Sequence, residues 1–147
     1  PNFTWSFEDS PSFNLKETKM IESNNTPYDL LGGAEGLRTL VNQFYVNMAE
    51  CEEAESIRQM HQADTTVVAE KLYEYLSGWL GGPSLYKYKY KTVCITRPHA
   101  QYVIGVKQRE EWLYCFYKAM DDVGVPAQVR EILKQPLYRI ADFLRNS

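Results

Sequence analysis

The stretch YLSGWLGGPSLY, residues 75–86, ends one helix and turns the chain sharply. Upstream of the turn, apolar side chains recur every three or four residues, as on one face of an amphipathic helix. These side chains are Val68, Leu72, Tyr75, Leu76 and Trp79. Gly81 and Gly82 suit a left-handed helix C-terminus, and Pro83 cannot continue the helix. With Asp64 as a candidate N-cap, the pattern predicts a helix that runs from there to the glycine pair.

Three further helices follow from the same periodicity. The first covers residues 34–49 after Gly32 and Gly33, the second begins near Val106 and ends at Gly124, and the third begins at Pro126. Their apolar positions are Leu37, Leu40, Val41, Phe44, Tyr45 and Met48, then Trp112, Cys115, Phe116 and Met120, then Val129, Ile132, Leu133, Leu137, Ile140, Ala141 and Leu144. Because proline lacks an amide proton, Pro136 is expected to kink or divide the last helix. The chain is therefore predicted to be all-α.

A long connection of residues 83–104 separates the second and third of these four helices. Loops of that length in compact domains usually have a function. Its segment YKYKYK, residues 86–91, alternates with period two, so an extended or strand conformation is possible, although no partner strand is evident. The connection also carries His99, one of only two histidines in the chain.

The composition fits a single globular domain that follows an N-terminal extension. The chain has 147 residues, a net charge of −3 and 14% aromatic residues, which is long enough for a real core. Residues 1–26 lack helical periodicity and are predicted to be a mostly irregular N-terminal extension, with the domain at 27–147. The acidic balance argues against nucleic acid and anionic membranes as partners, because both select basic surfaces.

Targeting and cysteine signals point to the cytoplasm. No apolar run is long enough to predict a membrane-spanning helix, and no signal peptide is visible in the first residues. Cys51, Cys94 and Cys115 are widely spaced without a CxxC pair, which disfavours a zinc site. We expect these thiols to be reduced and mostly buried.

Five motifs, in this order along the chain, resemble group II of the truncated haemoglobins, over roughly residues 28–144. They are YDLLGGAEGL, VNQFYVNM, YLSGWLGGPSLY, RPHAQYVIG and REEWLYCFYKAM. The resemblance implies a 2-over-2 helical globin fold, with four main helices around haem b and a long loop that carries the proximal histidine. It implies that His99 ligates the haem iron. An imidazole is a good haem ligand, and a single one leaves the far side open for a gas. Taken alone, His99 could equally be an ordinary loop histidine.

The resemblance also implies a polar distal pocket formed by Tyr45, His61 and Trp112. The hydroxyl of Tyr45 can donate a hydrogen bond to dioxygen, whereas the indole of Trp112 can only donate. Both residues are also compatible with ordinary core packing. His61 is either a pocket residue or an exposed loop histidine. Val68 stands where ordinary globins have a distal histidine, so ligand stabilisation is expected to depend on the three polar residues.

Other residues match the haem surroundings of the family. The resemblance implies that Phe44, Val68, Leu72, Tyr75, Leu76, Tyr102 and Ile104 pack against the porphyrin, positions that ordinary core residues would also fill. Many group II members have arginine directly before the proximal histidine, whereas this chain has Pro98 there and Arg97 one residue earlier. Arg97 and Tyr86 are candidate partners for the haem propionates. One of Lys87, Lys89 and Lys91 could substitute, or these lysines form a solvated basic run.

Three functions are compatible with the sequence. The first is binding of dioxygen, and of other diatomic ligands such as CO and NO, as a carrier, scavenger or sensor that is a monomer or weak homodimer. The second is a haem enzyme with peroxidase-like or nitric oxide dioxygenase activity, for which His61 would have to serve as the acid–base group. A reductase partner could serve either haem function. The third is a haem-free helical interaction domain.

Overall fold

The computed structural model describes residues 26–147, and every regular element in that part of the chain is a helix. Four long helices dominate: α2 (Gly33–Glu50), α4 (Thr66–Trp79), α7 (Val106–Asp122) and α8 (Ala127–Phe143). Shorter elements connect them, namely α1 (Pro27–Leu30), a 3-10 helix (Glu52–Ala54), α3 (Glu55–Gln59), α5 (Leu85–Tyr90) and α6 (Thr96–His99). The four predicted helices and the all-α class are confirmed. The predicted N-terminal extension falls, except for Thr26, outside the described residues.

The core lies where α2 crosses α7, the most extensive contact between elements. Helix α2 packs in turn on α4, and α7 packs on α8, which gives two helix pairs joined through one central contact. Fully buried side chains fill the crossing, among them Leu37, Val41, Phe44, Cys115 and Phe116. The side-chain amide of Asn47 on α2 donates to the backbone carbonyl of Cys115 on α7 at 3.2 Å and ties the two helices together. The 2-over-2 architecture follows from this arrangement.

Two of the sequence motifs meet in space. Gly81 has φ +100°, a left-handed conformation that glycine adopts without strain. A Cβ at Gly82 would lie 2.5 Å from the Tyr28 ring, so only glycine lets that ring pack there. The amide of Tyr28 donates to the carbonyl of Leu80 at 3.0 Å. The turn after α4 therefore packs directly against Tyr28 of α1, which explains why this turn needs Gly81 and Gly82.

Helix α2 begins through a second close approach. Gly32 has φ +100° and Gly33 has φ +69°, so both adopt conformations that other residues rarely tolerate. A Cβ at Gly36 would lie 1.7 Å from the carbonyl oxygen of Leu31. The GGAEG sequence lets α1 fold back directly on the first turn of α2.

The connection of residues 83–104 differs from the prediction. Residues 85–90 form helix α5, so the extended interpretation of YKYKYK is wrong. In the helix Tyr86 and Tyr90 are four residues apart and stack at a centroid distance of 4.6 Å. The hydroxyl of Tyr90 and the ammonium of Lys89 both donate to Glu74 of α4, at 3.0 and 3.2 Å. These contacts across the fold stabilise the helix over the extended form.

The start of α4 differs from the prediction, and the last helix is not divided at Pro136. The N-cap of α4 is Thr65 rather than Asp64, although the Asp64 carboxylate accepts from the Thr66 amide at 3.0 Å. Helix α8 runs through Pro136 without division. Pro136 is itself buried between Leu133 and Leu137. Burial on both sides of the proline offsets the hydrogen bond that it removes.

All three cysteines are free, with Cys115 buried and Cys51 and Cys94 half-buried, so the expectation that most are buried was wrong. Burial raises the pKa of the Cys115 thiol to about 12, which makes it an unreactive core residue. None of the helices in residues 26–147 has the length and apolar character needed to cross a bilayer.

Candidate cofactor site

The two histidines share one local arrangement. Nδ1 of His61 lies 2.8 Å from the carbonyl oxygen of Ile57, and Nδ1 of His99 lies 2.5 Å from that of Ile95. Because a carbonyl oxygen only accepts, each Nδ1 carries the proton and donates. In the neutral ring, Nε2 then keeps a lone pair that points away from the backbone. Both imidazoles are therefore prepared to ligate a metal or to accept a hydrogen bond at Nε2.

His99 is favoured in the neutral form that a metal ligand requires. Burial lowers its pKa, a lowering that the charge of His61 reinforces and that the hydrogen bond to Ile95 opposes. The two imidazoles come from different elements, since His61 follows α3 and His99 ends α6.

An aromatic cluster centred on Phe44 adjoins His61. The Phe44 ring is buried, and its centroid lies 4.8 Å from the ring centroid of Tyr45, 5.3 Å from that of Trp112 and 5.1 Å from that of Phe116. The Tyr45 ring lies 6.1 Å from the imidazole of His61. Helices α2 and α7 thus pack Tyr45 and Trp112 on one phenylalanine, and the segment after α3 places His61 beside Tyr45.

The two donors of this cluster have suitable chemistry. Burial raises the pKa of the Tyr45 phenol above its ordinary value, so the hydroxyl keeps its proton at neutral pH. Trp112 is only half-buried, whereas Cys115, Phe116 and Met120 of the same helix are fully buried. An indole that packs on Phe44 and still reaches the surface of the protein can serve both the core and a pocket.

The predicted apolar contacts divide into two groups. Val68, Leu72 and Ile104 are half-buried, and Tyr102 is 37% exposed. Tyr75 and Leu76 are buried in the core, where Tyr75 makes an edge contact with Tyr86 at 5.6 Å. Large apolar side chains left partly open to solvent are consistent with a site that a flat apolar group would cover.

The candidate partners for the haem propionates have separate surroundings in the structure. Tyr86 contacts Tyr75 and Tyr90, and burial raises the pKa of its phenol. Arg97 is exposed on α6, two residues before His99. The ammonium of Lys89 is engaged by Glu74, and that of Lys91 lies 4.8 Å from the Tyr88 ring centroid. The structure does not bring Arg97 into contact with Tyr86.

The residues present fit a haem group. Among the described residues no cluster of three or more His, Cys, Asp or Glu could hold a metal ion. A single neutral imidazole, half-buried apolar side chains and hydrogen-bond donors form the set that haem needs. His99 would hold the iron, and Tyr45, His61 and Trp112 would supply polar groups for a bound ligand.

One buried polar group near this site was missed from the sequence. Glu111, directly before Trp112, is only 7% exposed and accepts hydrogen bonds from Ser56, Ile57 and Lys107. The spacing of Lys107 and Glu111 matches a helical ion pair. That spacing is typical of exposed helix faces, so it gave no reason to expect a buried carboxylate.

Comparisons with known proteins agree on one family. The family described as bacterial-like globin matches residues 26–146. The group 2 truncated hemoglobin YjbI of Bacillus subtilis is 32% identical over 114 residues, 78% of this chain and 83% of that protein. The solved group II 2-on-2 hemoglobin of Agrobacterium tumefaciens is 38% identical, with a TM-score of 0.78 over 86% of this chain and 98% of that one. The cold-adapted truncated hemoglobin of Pseudoalteromonas haloplanktis TAC125 is 34% identical, with a TM-score of 0.79 over 84% and 99%.

Proposed function

Since the chain belongs to the bacterial-like globin family, among its group II truncated haemoglobins, and is thereby a haem protein that binds ligands at iron, we propose that it holds haem b through His99. We further propose that it binds dioxygen, and other diatomic ligands such as CO and NO, in a pocket formed by Tyr45, His61 and Trp112. Haem supplies an iron atom that binds a diatomic gas reversibly.

The observation that carries this proposal is the state of the His99 ring. Its Nδ1–H donates to Ile95, its pKa is lowered by burial, and its Nε2 lone pair is directed away from the backbone. A second-shell hydrogen bond of this kind fixes the ring and raises its basicity as a ligand.

Three side chains hold the ligand on the other side of the pocket. Tyr45 and Trp112 each present one donor, and Nε2 of His61 can accept or, when protonated, donate. Each hydrogen bond to a polarised ligand in a low-dielectric pocket is worth about 1 to 3 kcal/mol. Two such bonds slow ligand release by on the order of 100-fold. The proposed protein therefore holds dioxygen longer than a wholly apolar pocket would.

The test replaces one donor without emptying the pocket. In Trp112→Phe we expect dioxygen to dissociate about 10-fold faster, because one donor is lost while an aromatic ring remains. Stopped-flow dissociation measures the rate. Tyr114→Phe is the matched control, since it removes a polar group from the exposed face of the same helix and should leave the rate unchanged. An unchanged rate in Trp112→Phe removes Trp112 from the pocket. A purified chain with no Soret band after haem addition would overturn the whole proposal.

A further inference from the structure

We propose that Glu111 is a positioning residue that orients His61 through the backbone of Ile57. The inference rests on the proposed function, because it concerns how the protein presents His61 to the ligand pocket. Glu111 directly precedes Trp112 of the aromatic cluster, but its carboxylate binds Ser56, Ile57 and Lys107. It acts on a segment more than 50 residues away in sequence, and that segment carries His61.

The carboxylate of Glu111 is fully engaged. One oxygen accepts from the amide of Ile57 at 3.0 Å and from the hydroxyl of Ser56 at 2.7 Å. The other oxygen accepts from the ammonium of Lys107 at 2.5 Å. Burial works to raise the pKa of Glu111, but these hydrogen bonds outweigh it, and the pKa lies below its ordinary value. The group is therefore charged at neutral pH, and charge-assisted hydrogen bonds are stronger than neutral ones.

The backbone of Ile57 is held at both of its polar groups. Its amide donates to Glu111, and its carbonyl accepts from Nδ1 of His61 at 2.8 Å. Its side chain is 5% exposed. A rotation of this segment would break a buried charged hydrogen bond, so the direction of the Ile57 carbonyl is constrained. That carbonyl in turn fixes the tautomer and the orientation of the His61 ring.

Helix α3 needs such an external support. It has only five residues, and an isolated helix of this length is not stable in water. Gln108 of α7 adds a second tie, since its amide donates to the Ser56 hydroxyl at 3.2 Å while its oxygen accepts from the Gly105 amide at 2.8 Å. The first turn of α7 thus sets where α3 lies, and Glu111 is the charged member of that contact.

The second buried carboxylate of the described chain is a matched control. Glu74 is 6% exposed and binds Lys89 and Tyr90, as Glu111 binds Lys107 and Ser56. Its partners lie on α5, and none of them is bonded to His61. A variant at Glu74 should lower stability as a variant at Glu111 does, but without an effect on His61.

The experiment uses the fact that the chain has two histidines. Imidazole nitrogen-15 NMR spectra of the haem-loaded protein, in its diamagnetic ferrous CO form, then contain two ring systems. In the wild type His61 should show a single Nδ1–H tautomer with a slowly exchanging proton. In Glu111→Met that proton should exchange at least about 10-fold faster, because the carbonyl that restrains it is released. The signals of His99 should not move.

Conservative and control variants complete the test. Glu111→Gln keeps an oxygen for the Ile57 amide but loses the charge, so its His61 proton should exchange at a rate between those of the wild type and Glu111→Met, and it takes the place of Glu111→Met if that variant fails to fold. In that case a faster exchange of the His61 proton than in Glu74→Gln supports the inference. Glu74→Met should leave His61 unchanged.

An unchanged His61 spectrum in both Glu111 variants overturns the inference. The proposed pocket role of His61 is tested separately by dioxygen dissociation from His61→Leu. An unchanged rate there refutes that role, whereas the NMR result still decides whether Glu111 orients the ring.

Discussion

The segment that carries His61 and the segment that carries His99 use the same local hydrogen bond but differ in how the rest of the protein holds them. In both, Nδ1 donates to the carbonyl four residues earlier. The His61 segment is tied to the core by Glu111 and by Arg58, whose guanidinium donates to the carbonyls of Met48 and Cys51 at 2.9 Å. Its position is therefore determined by buried polar contacts.

The His99 segment has a weaker frame. Helix α6 has four residues with no buried member, and it is preceded by the buried side chain of Ile95. The chain beyond it is held from the segment after α8, because the side-chain amide of Asn146 donates to the Tyr102 carbonyl and accepts from the Ile104 amide, both at 2.9 Å. In the proposed function His99 gains a bond to iron, which itself fixes the ring. His61 is there a pocket residue, and its orientation is set by the hydrogen bonds of the protein.

The largest effect should come from the iron ligand. His99→Gly should lower the retention of haem by at least about 100-fold, because loss of a ligand exceeds the loss of an outer-shell partner. Added imidazole should restore the Soret spectrum by occupying the vacated position. Transfer of haem to an apoprotein acceptor measures retention. His61→Gly serves as the control and should retain haem, and equal loss in the two variants would contradict the assignment of His99.

A smaller effect is expected from Glu111 on stability. Because its folded pKa lies below the ordinary value of 4.5, its ionised form stabilises the folded state above pH 4.5, and that contribution is lost as the pH falls through 4.5 towards the folded pKa. Glu111→Gln should therefore be less stable than the wild type by about 1 to 3 kcal/mol at pH 7. Urea unfolding at pH 7 and near pH 4 measures the difference, which should shrink at the lower pH. A difference that is constant with pH would show that the charge of Glu111 is not the cause.

The smallest effect is expected at Asn146. Asn146→Ala removes two hydrogen bonds to residues 102–104 and should destabilise by about 1 to 2 kcal/mol, since both lie near the surface. Haem should also dissociate a few-fold faster, because the segment after His99 is less restrained. Asn42→Ala, at an exposed position of α2, is the control. If haem dissociates equally from both variants, the hydrogen bonds of Asn146 have no role in holding His99.

Much of the fold was predictable because it depends on local rules. Apolar periodicity located α2, α4, α7 and α8, and the glycines at 81, 82 and 124 marked helix ends. The resemblance grouped Tyr45, His61 and Trp112, and the structure packs Tyr45 and Trp112 on Phe44 and places His61 beside Tyr45. The function of these residues stays a proposal, since their positions alone do not test it.

The tertiary structure alone decided the features that depend on distant partners. YKYKYK is helical because Glu74 binds Lys89 and Tyr90, and no local signal in the segment contains that information. Helix α8 continues through Pro136 because both of its neighbouring turns are buried.

Glu111 illustrates the same limit at the candidate site. By itself the sequence determined the four long helices and most of their ends, because spacing and backbone chemistry act over a few residues. A charged side chain is buried only where partners satisfy it. The partners of Glu111 include Ser56 and Ile57, which only the packing of α3 on α7 brings within reach.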